Sequence, residues 1–370
     1  MQLTLVIHAL TAGGAERVMS IMANYWAAKG WNITIVTMDD GSIPPFYDLD
    51  TRIQHIPLGL ATKSPNFIWA TWHNLRRVFI LRKTIYQLKP DAVISFLDTT
   101  NVLTLLATQS LKIPVIVDEQ NHPAMYSIGR SWEKLRELTY PQASRVVAVT
   151  ARALSYFSLA IQSRGSVIPN PALSVKLDEN SATPKLEKPF LIAIGRLEEQ
   201  KGFDILLQAF EQVADSYPEW KLIILGEGSL RPQLESLVHQ LNLAKRVHLK
   251  GVVKNPFSFL QQAEFFVMSS RYEGFPNALC EAMACGLPVI ATDCPSGPQE
   301  IIRNNVDGIL VPSEDVSALA AAIKRLISDE EERKRLASRA TEVTERFSLE
   351  KVMNMWETLL AEVISERKKL

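Results

Sequence analysis

At about 150 residues per domain, a chain of 370 residues corresponds to two or three domains. With 47% hydrophobic and 22% charged residues, 16 Gly and 20 Pro, it falls among globular proteins and outside the disordered, collagen-like and disulfide-rich classes. Forty Lys plus Arg balance forty Asp plus Glu, which argues against nucleic acid or any other partner spreading polyanion over the whole surface. Three cysteines (Cys280, Cys285 and Cys294) form no CxxC pair, so reduced thiols packed as small hydrophobes are expected, and no metal site.

The first apolar run follows no basic segment and is too short for a signal peptide. No stretch approaches the ~18 apolar residues that would span a bilayer. The expectation is a cytoplasmic protein, at most peripheral to the cytoplasmic face of a membrane.

Residues 3–7 read as a buried strand, 15–29 as a helix, 33–37 as a strand and 66–88 as a long helix. Strands are expected at 92–96, 115–117 and 146–149. Such alternation means a parallel sheet covered on both faces. Residues 171–188, with Pro171 and Pro184 among Ser, Asn and Glu, have a linker composition. The alternation then restarts: strands at 190–194, 221–225, 247–249, 265–268, 289–291 and 309–311, with helices at 204–216 and 230–242 among them. The last ~55 residues are helical and charge-laced, so a third domain is not expected. Two doubly wound α/β domains are predicted, 1–170 and 189–349, with ligand in a cleft outside the carboxyl ends of the strands.

Thr11-Ala12-Gly13-Gly14-Ala15-Glu16-Arg17 follows the first strand and opens the first helix, where free N–H groups suit a phosphate. On its own it reads equally as a turn that needs glycine for geometry. In the stretch 195–202, Arg196 and Lys201 place two cations on a strand-end loop, a fork and a point charge for a diphosphate. In 269–281, Glu273 lies in a loop and Glu281 in the helix beginning near Asn277. Paired carboxylates accept hydrogen bonds from vicinal hydroxyls, as on a sugar and a ribose. Asp48-Leu49-Asp50 matches a metal-holding DxD pattern but sits in an early connecting loop and is read as structural.

Residues 63–89 hold six cations and no acid, with aromatics interleaved. A basic, aromatic amphipathic helix is attracted to an anionic bilayer surface, and Trp69, Trp72, Arg76, Arg77, Arg82 and Lys83 are the expected contacts.

Taken together, GGAER (13–17), GRLxxxKG (195–202), GEGxLR (226–231) and Glu273-Gly-Phe-Pro-Asn with Glu281 resemble the retaining GT-B glycosyltransferases of family 4. The motifs occur in the family's order over essentially the whole chain. The stretch 293–302 resembles members that build bacterial surface polysaccharides, lipopolysaccharide or lipid-linked glycans. The resemblance implies two Rossmann-like domains, with a C-terminal helix (about 350–370, around Trp356) crossing back to the first. It implies transfer of a hexose or N-acetylhexosamine from a UDP-sugar, with no metal and no other cofactor, to a lipid-linked or polysaccharide acceptor.

By position, the resemblance gives Arg196 and Lys201 the donor diphosphate, Glu273 the donor sugar and Glu281 the ribose. Gly274, Phe275, Pro276 and Asn277 would offer main-chain contacts, Gly226, Glu227 and Val252 would border the nucleobase, and Gly14 would approach the diphosphate. Many relatives carry a histidine after a late strand of the first domain. Here the segment reads Asp118-Glu119-Gln120-Asn121-His122-Pro123 and Gln120 aligns with it, so Glu119, Gln120, Asn121 and His122 are the acceptor-side candidates. Alternatives are a GT-B epimerase or phosphorylase, or a two-domain binding module without chemistry.

Overall fold

The computed structural model describes residues 1–61, 66–173 and 186–368. Most of the expected linker (174–185) and the start of the basic stretch (63–65) lie outside those residues. The chain divides into two compact units, Met1–Asn170 with Glu350–Leu370, and Pro171–Leu349.

The first unit holds β1 (Gln2–Ile7), β2 (Asn32–Thr37), β3 (Gln54–Pro57), β4 (Ala92–Phe96), β5 (Val115–Glu119), β6 (Arg145–Ala148) and β7 (Gly165–Val167). They form one sheet in the order β3-β2-β1-β4-β5-β6-β7, and each pairing is parallel. Continuous apolar runs rather than alternating ones mark its central strands, because helices cover both faces. Val6, Val36, Val93, Val117 and Val146 join one core cluster, onto which the helix Phe67–Leu88 presses Leu81 and Ile85.

Three departures from the sequence reading have physical causes. Strands β3 and β7 are half-buried edge strands whose short segments contain no apolar run. Strand β5 runs two residues past its apolar stretch, because Asp118 and Glu119 find polar partners inside the protein. The helix Asp98–Thr108, with Val102 and Leu105 in the core, opens from Leu97 in the left-handed region (φ +72°).

The second unit holds β8 (Phe190–Ile194), β9 (Lys221–Leu225), β10 (Val247–Leu249), β11 (Phe265–Met268), β12 (Val289–Asp293) and β13 (Ile309–Pro312). Their order is β10-β9-β8-β11-β12-β13, again parallel at each pairing. The helix Phe203–Ala214 places Leu206, Phe210 and Val213 at helical spacing on this sheet, where Leu222 and Phe265 meet them. Deleting a ring such as that of Phe210, fully buried, costs about 3–5 kcal/mol in a core of this kind.

The order of strands reverses beside β8, whose neighbours are β9 on one side and β11 on the other. In open α/β sheets, ligands bind beyond the carboxyl ends of the strands at such a switch point. Among the described residues no helix is long and apolar enough to cross a membrane.

Candidate active site

The loops leaving β8, β9 and β11 pack backbone against backbone in the second unit. A Cβ on Gly226 (φ +141°) would lie 1.9 Å from the carbonyl oxygen of Gly195. One on Gly202 (φ +59°) would lie 2.2 Å from that of Ser269. Both residues occupy a backbone region that side chains disfavour and approach a neighbouring carbonyl, so only glycine lets these loops converge.

That convergence brings Lys201 and Glu273 together from two strands' loops. Lys201 Nζ donates to Glu273 Oε1 at 2.6 Å, and Ser270 Oγ donates to the same oxygen at 2.6 Å. Glu273 is buried and the lysine half-buried, while Oε2 accepts no hydrogen bond among the described residues. The pair therefore keeps one carboxylate oxygen available for a hydroxyl.

Arg196, exposed at the end of β8, makes a single long hydrogen bond among the described residues, 3.4 Å from its Nη2 to Gln200 Oε1. The neighbouring Glu198 bonds to another loop and acts on Arg196 only through space. Glu198 accepts from the backbone N–H (2.9 Å) and hydroxyl (2.8 Å) of Ser229, which holds its carboxyl below the ordinary range. A guanidinium fork is thus left on the loop that also carries Lys201, at the switch point.

The sequence reading missed the residues that brace this pair. Arg271 forks onto Asp204 at 2.9 and 2.7 Å and reaches the Glu199 carbonyl at 2.8 Å, tying the β11 loop to the β8 loop. Those carboxylate bonds hold the Arg271 guanidinium above its ordinary value. Gln200 Nε2 donates to the Tyr272 carbonyl at 3.1 Å across the same seam. The only sequence signal for them is adjacency: Ser270 and Arg271 precede Glu273, and Gln200 precedes Lys201.

The loops that carry Glu227 and Val252 also meet. Gly226 N–H donates to the Gly251 carbonyl at 2.8 Å, and Glu227 Oε1 lies 3.1 Å from where a Gly251 Cβ would stand. Arg231 forks onto the Glu227 carboxylate at 2.8 and 2.6 Å, and Val252 is exposed beside them. Gly274, Phe275 and Pro276 are buried, with the Phe275 ring edge-on to Phe347 at 5.5 Å, and they lead into the helix Asn277–Ala284. Glu281, half-buried, sits on that helix. Cys280 and Cys294 are buried free thiols, and burial pushes the Cys294 thiol up to about 12.

In the first unit Gly14 begins the helix Gly14–Ala28 and is exposed. The Glu16 carboxylate folds back on Gly13, with Oε2 2.1 Å from the position a Cβ there would take, so an acid already lies at this helix start. Asp50 of the DxD pattern pairs with Arg52 at 2.6 Å.

The acceptor-side candidates follow another pattern. Glu119 ends β5 and turns into the protein, where the Tyr140 hydroxyl donates to it. Gln120 Nε2 donates to Asp118 Oδ2 at 2.7 Å and to Asn170 Oδ1 at 3.2 Å, and Asn170 Nδ2 donates back to Gln120 Oε1 at 2.9 Å. His122 is buried, its Nδ1 accepting from the Ala124 N–H at 3.3 Å, while Asn121 is half-buried. Burial pushes the Asp118 carboxyl up to about 8, and burial together with the nearby Asp98 raises that of Glu119. Glu119 and Gln120 thus belong to an internal network rather than a free loop, because β5 extends to Glu119.

On the helix Phe67–Leu88, Trp69, Trp72, Arg76 and Lys83 are exposed. Arg77 and Arg82 are engaged by the unit itself: Arg77 Nε donates to the Leu60 carbonyl at 3.0 Å, and Arg82 Nη1 to those of Ala107 (3.0 Å) and Gln109 (2.6 Å).

Residues 175–343 match the family described as Glycosyl transferases group 1, and residues 13–171 the Glycosyl transferase 4-like domain. An α-1,4-N-acetyl-D-galactosaminyltransferase of Campylobacter jejuni, named for an undecaprenol-diphosphate glycan acceptor, is 30% identical over 370 residues, covering 98% of this chain and 99% of its own. An uncharacterized glycosyltransferase of Methanocaldococcus jannaschii is 32% identical, over 80% of this chain and 86% of its own. In fold, Anabaena HepE in complex with UDP-glucose superposes with a TM-score of 0.79 at 19% identity, over 99% of this chain and 100% of that one.

Proposed function

Because this chain belongs to the group 1 glycosyltransferases, with a family 4-like first half, we propose that it transfers a hexose or N-acetylhexosamine from a UDP-sugar to a lipid-linked or polysaccharide acceptor, with retention at the anomeric carbon. One observation carries the reading: the Lys201–Glu273 pair at 2.6 Å, with the nearly unpartnered Arg196 on the same sheet edge. Arg196 and Lys201 take the donor diphosphate, and Oε2 of Glu273 accepts from a hydroxyl of the sugar. Glu227 and Val252 border the base, the helix start at Gly274–Asn277 faces the phosphates and sugar, and Glu281 receives the ribose.

Breaking the bond between the anomeric carbon and the β-phosphate oxygen leaves negative charge on that phosphate. Fixed cations stabilise developing charge because their orientation is set before the reaction. The acceptor hydroxyl attacks from the face the phosphate leaves, and its proton passes to the departing phosphate oxygen. Glu273, already accepting from Lys201 and Ser270, serves as a hydrogen-bond acceptor rather than as a nucleophile.

The UDP-glucose bound to HepE and the acceptor named for the Campylobacter relative support this donor and acceptor class. A lipid-linked acceptor also implies work at the cytoplasmic surface of a membrane. The test is thermal unfolding with UDP, GDP, ADP or NAD, each with EDTA and with magnesium. UDP at 100 times its Kd, with EDTA present, is expected to stabilise by about 2.7 kcal/mol. A preference for GDP or ADP would change the donor, stabilisation only with magnesium would overturn metal independence, and no response to any nucleotide would overturn the site.

A further inference from the structure

The helix Phe67–Leu88 is 22 residues long, about 33 Å, and apolar on two opposite sides. Its inner side buries Leu81 and Ile85 in the core of the first unit. Its outer side carries Ile68, Trp72, Leu75, Phe79 and Tyr86, spaced four, three, four and seven residues apart, which sets them in one stripe. Each is between 60% and 79% exposed, and Trp69 beside them is 51% exposed. Five large apolar side chains in a row are an exposed patch of the kind that marks an interaction surface.

Charge identifies the occupant. No Asp or Glu occurs between Asp50 and Asp91, although the chain as a whole is neutral. Arg76 and Lys83 are exposed beside the stripe, while Arg77 and Arg82 anchor the helix to carbonyls of Leu60, Ala107 and Gln109. We infer that this stripe lies in the plane of an anionic bilayer surface, with its aromatic and aliphatic side chains among the acyl chains and Arg76 and Lys83 at the headgroups. A second copy of this chain fits less well, since pairing two such faces sets like charges against each other. The inference deepens the reading of a membrane-borne acceptor and rests on it for its purpose, whereas the surface stands on exposure and charge.

The test measures binding of the full chain to vesicles of phosphatidylglycerol and phosphatidylethanolamine, and to phosphatidylcholine alone, with no donor or acceptor present. Binding to the anionic vesicles is expected, weakening with salt. Brominated lipid should quench tryptophan fluorescence, and Trp69→Phe with Trp72→Phe should remove that quenching. Leu75→Ser with Phe79→Ser, both at exposed positions, should lower binding roughly a hundredfold without moving the thermal midpoint. Arg76→Gln and Lys83→Gln should each lower it about fivefold, on anionic vesicles only. Unchanged binding of Leu75→Ser/Phe79→Ser would overturn the inference. So would a parental dimer that this variant dissociates in sedimentation, which would give the face to a second copy. Because no nucleotide enters the assay, a failure here leaves the transferase reading standing, and vesicle binding without any nucleotide response sinks only that reading.

Discussion

The sheet edges of the two units are furnished differently. In the second, the loops after β8 and β11 present ions, with Arg196 exposed, Lys201 half-buried and one oxygen of Glu273 unclaimed among the described residues. In the first, Asp118, Glu119 and Gln120 at the end of β5, with Asn170 beyond β7, bond to one another or to Tyr140 and are buried. Asp118 Oδ1 has no partner among the described residues, as expected of a carboxyl that burial keeps protonated. One edge holds charge near its surface, and the other uses polar groups to hold its own shape.

Substitutions can break or sharpen that contrast. The largest effect is expected for Gly226→Ala, whose methyl would press on the Gly195 carbonyl at 1.9 Å. The loops must separate, with a loss above 3 kcal/mol by urea unfolding and no remaining UDP response, about the cost of a severe core substitution. Arg196→Ala should lower transfer roughly 10²- to 10³-fold, the effect of removing one preorganised charge-stabilising donor, while the unfolding midpoint stays put. Its single bond among the described residues, at 3.4 Å, supports little structure. Lys201→Ala should lower both, because it leaves the buried Glu273 carboxylate without its cation. Loss of stability in Arg196→Ala, or none in Lys201→Ala, would erase the distinction between ligand-facing and structural charge.

The first unit's network gives a smaller, pH-dependent signal. A carboxyl raised by burial binds its proton more tightly in the folded state, so its contribution to stability falls as pH rises from the ordinary 3.8 toward about 8. Urea midpoints measured across that range should decline, and more shallowly in Asp118→Asn, which cannot ionise. An equal slope in parent and variant would remove Asp118 as the source.

The second unit's candidate site was legible because its residues are close in sequence. Arg196 and Lys201 share one loop, Glu273 and Glu281 share one segment, and the strands before them are plain apolar runs. What brings the segments together, Arg271 reaching Asp204 and Glu199, acts across about seventy positions of sequence and leaves no local pattern. The first unit was legible as architecture down to its buried central strands, but β3 and β7, half-buried at the edges, were not. Glu119 and Gln120 looked like loop residues because an acid and an amide end an apolar run. Only their partners, Tyr140 and Asn170, show that they point inward. The helix Phe67–Leu88 was legible as basic and aromatic, but which arginines face outward depends on the distant carbonyls of Ala107 and Gln109.

The final helix, Leu349–Lys368, belongs to the first unit, where Glu357 meets Lys29 at 2.7 Å and Glu366 meets Arg145 at 2.6 Å. In chain order the second unit is therefore an insertion, complete once residue 349 has been made, whereas the first must wait for the last residues of the chain. On the ribosome, where units generally fold as they emerge, the ion-bearing half can mature while its partner is still missing Val352, Trp356 and Leu360 from its packing. A premature stop just short of this helix would thus harm most the half that lies farthest from it in sequence.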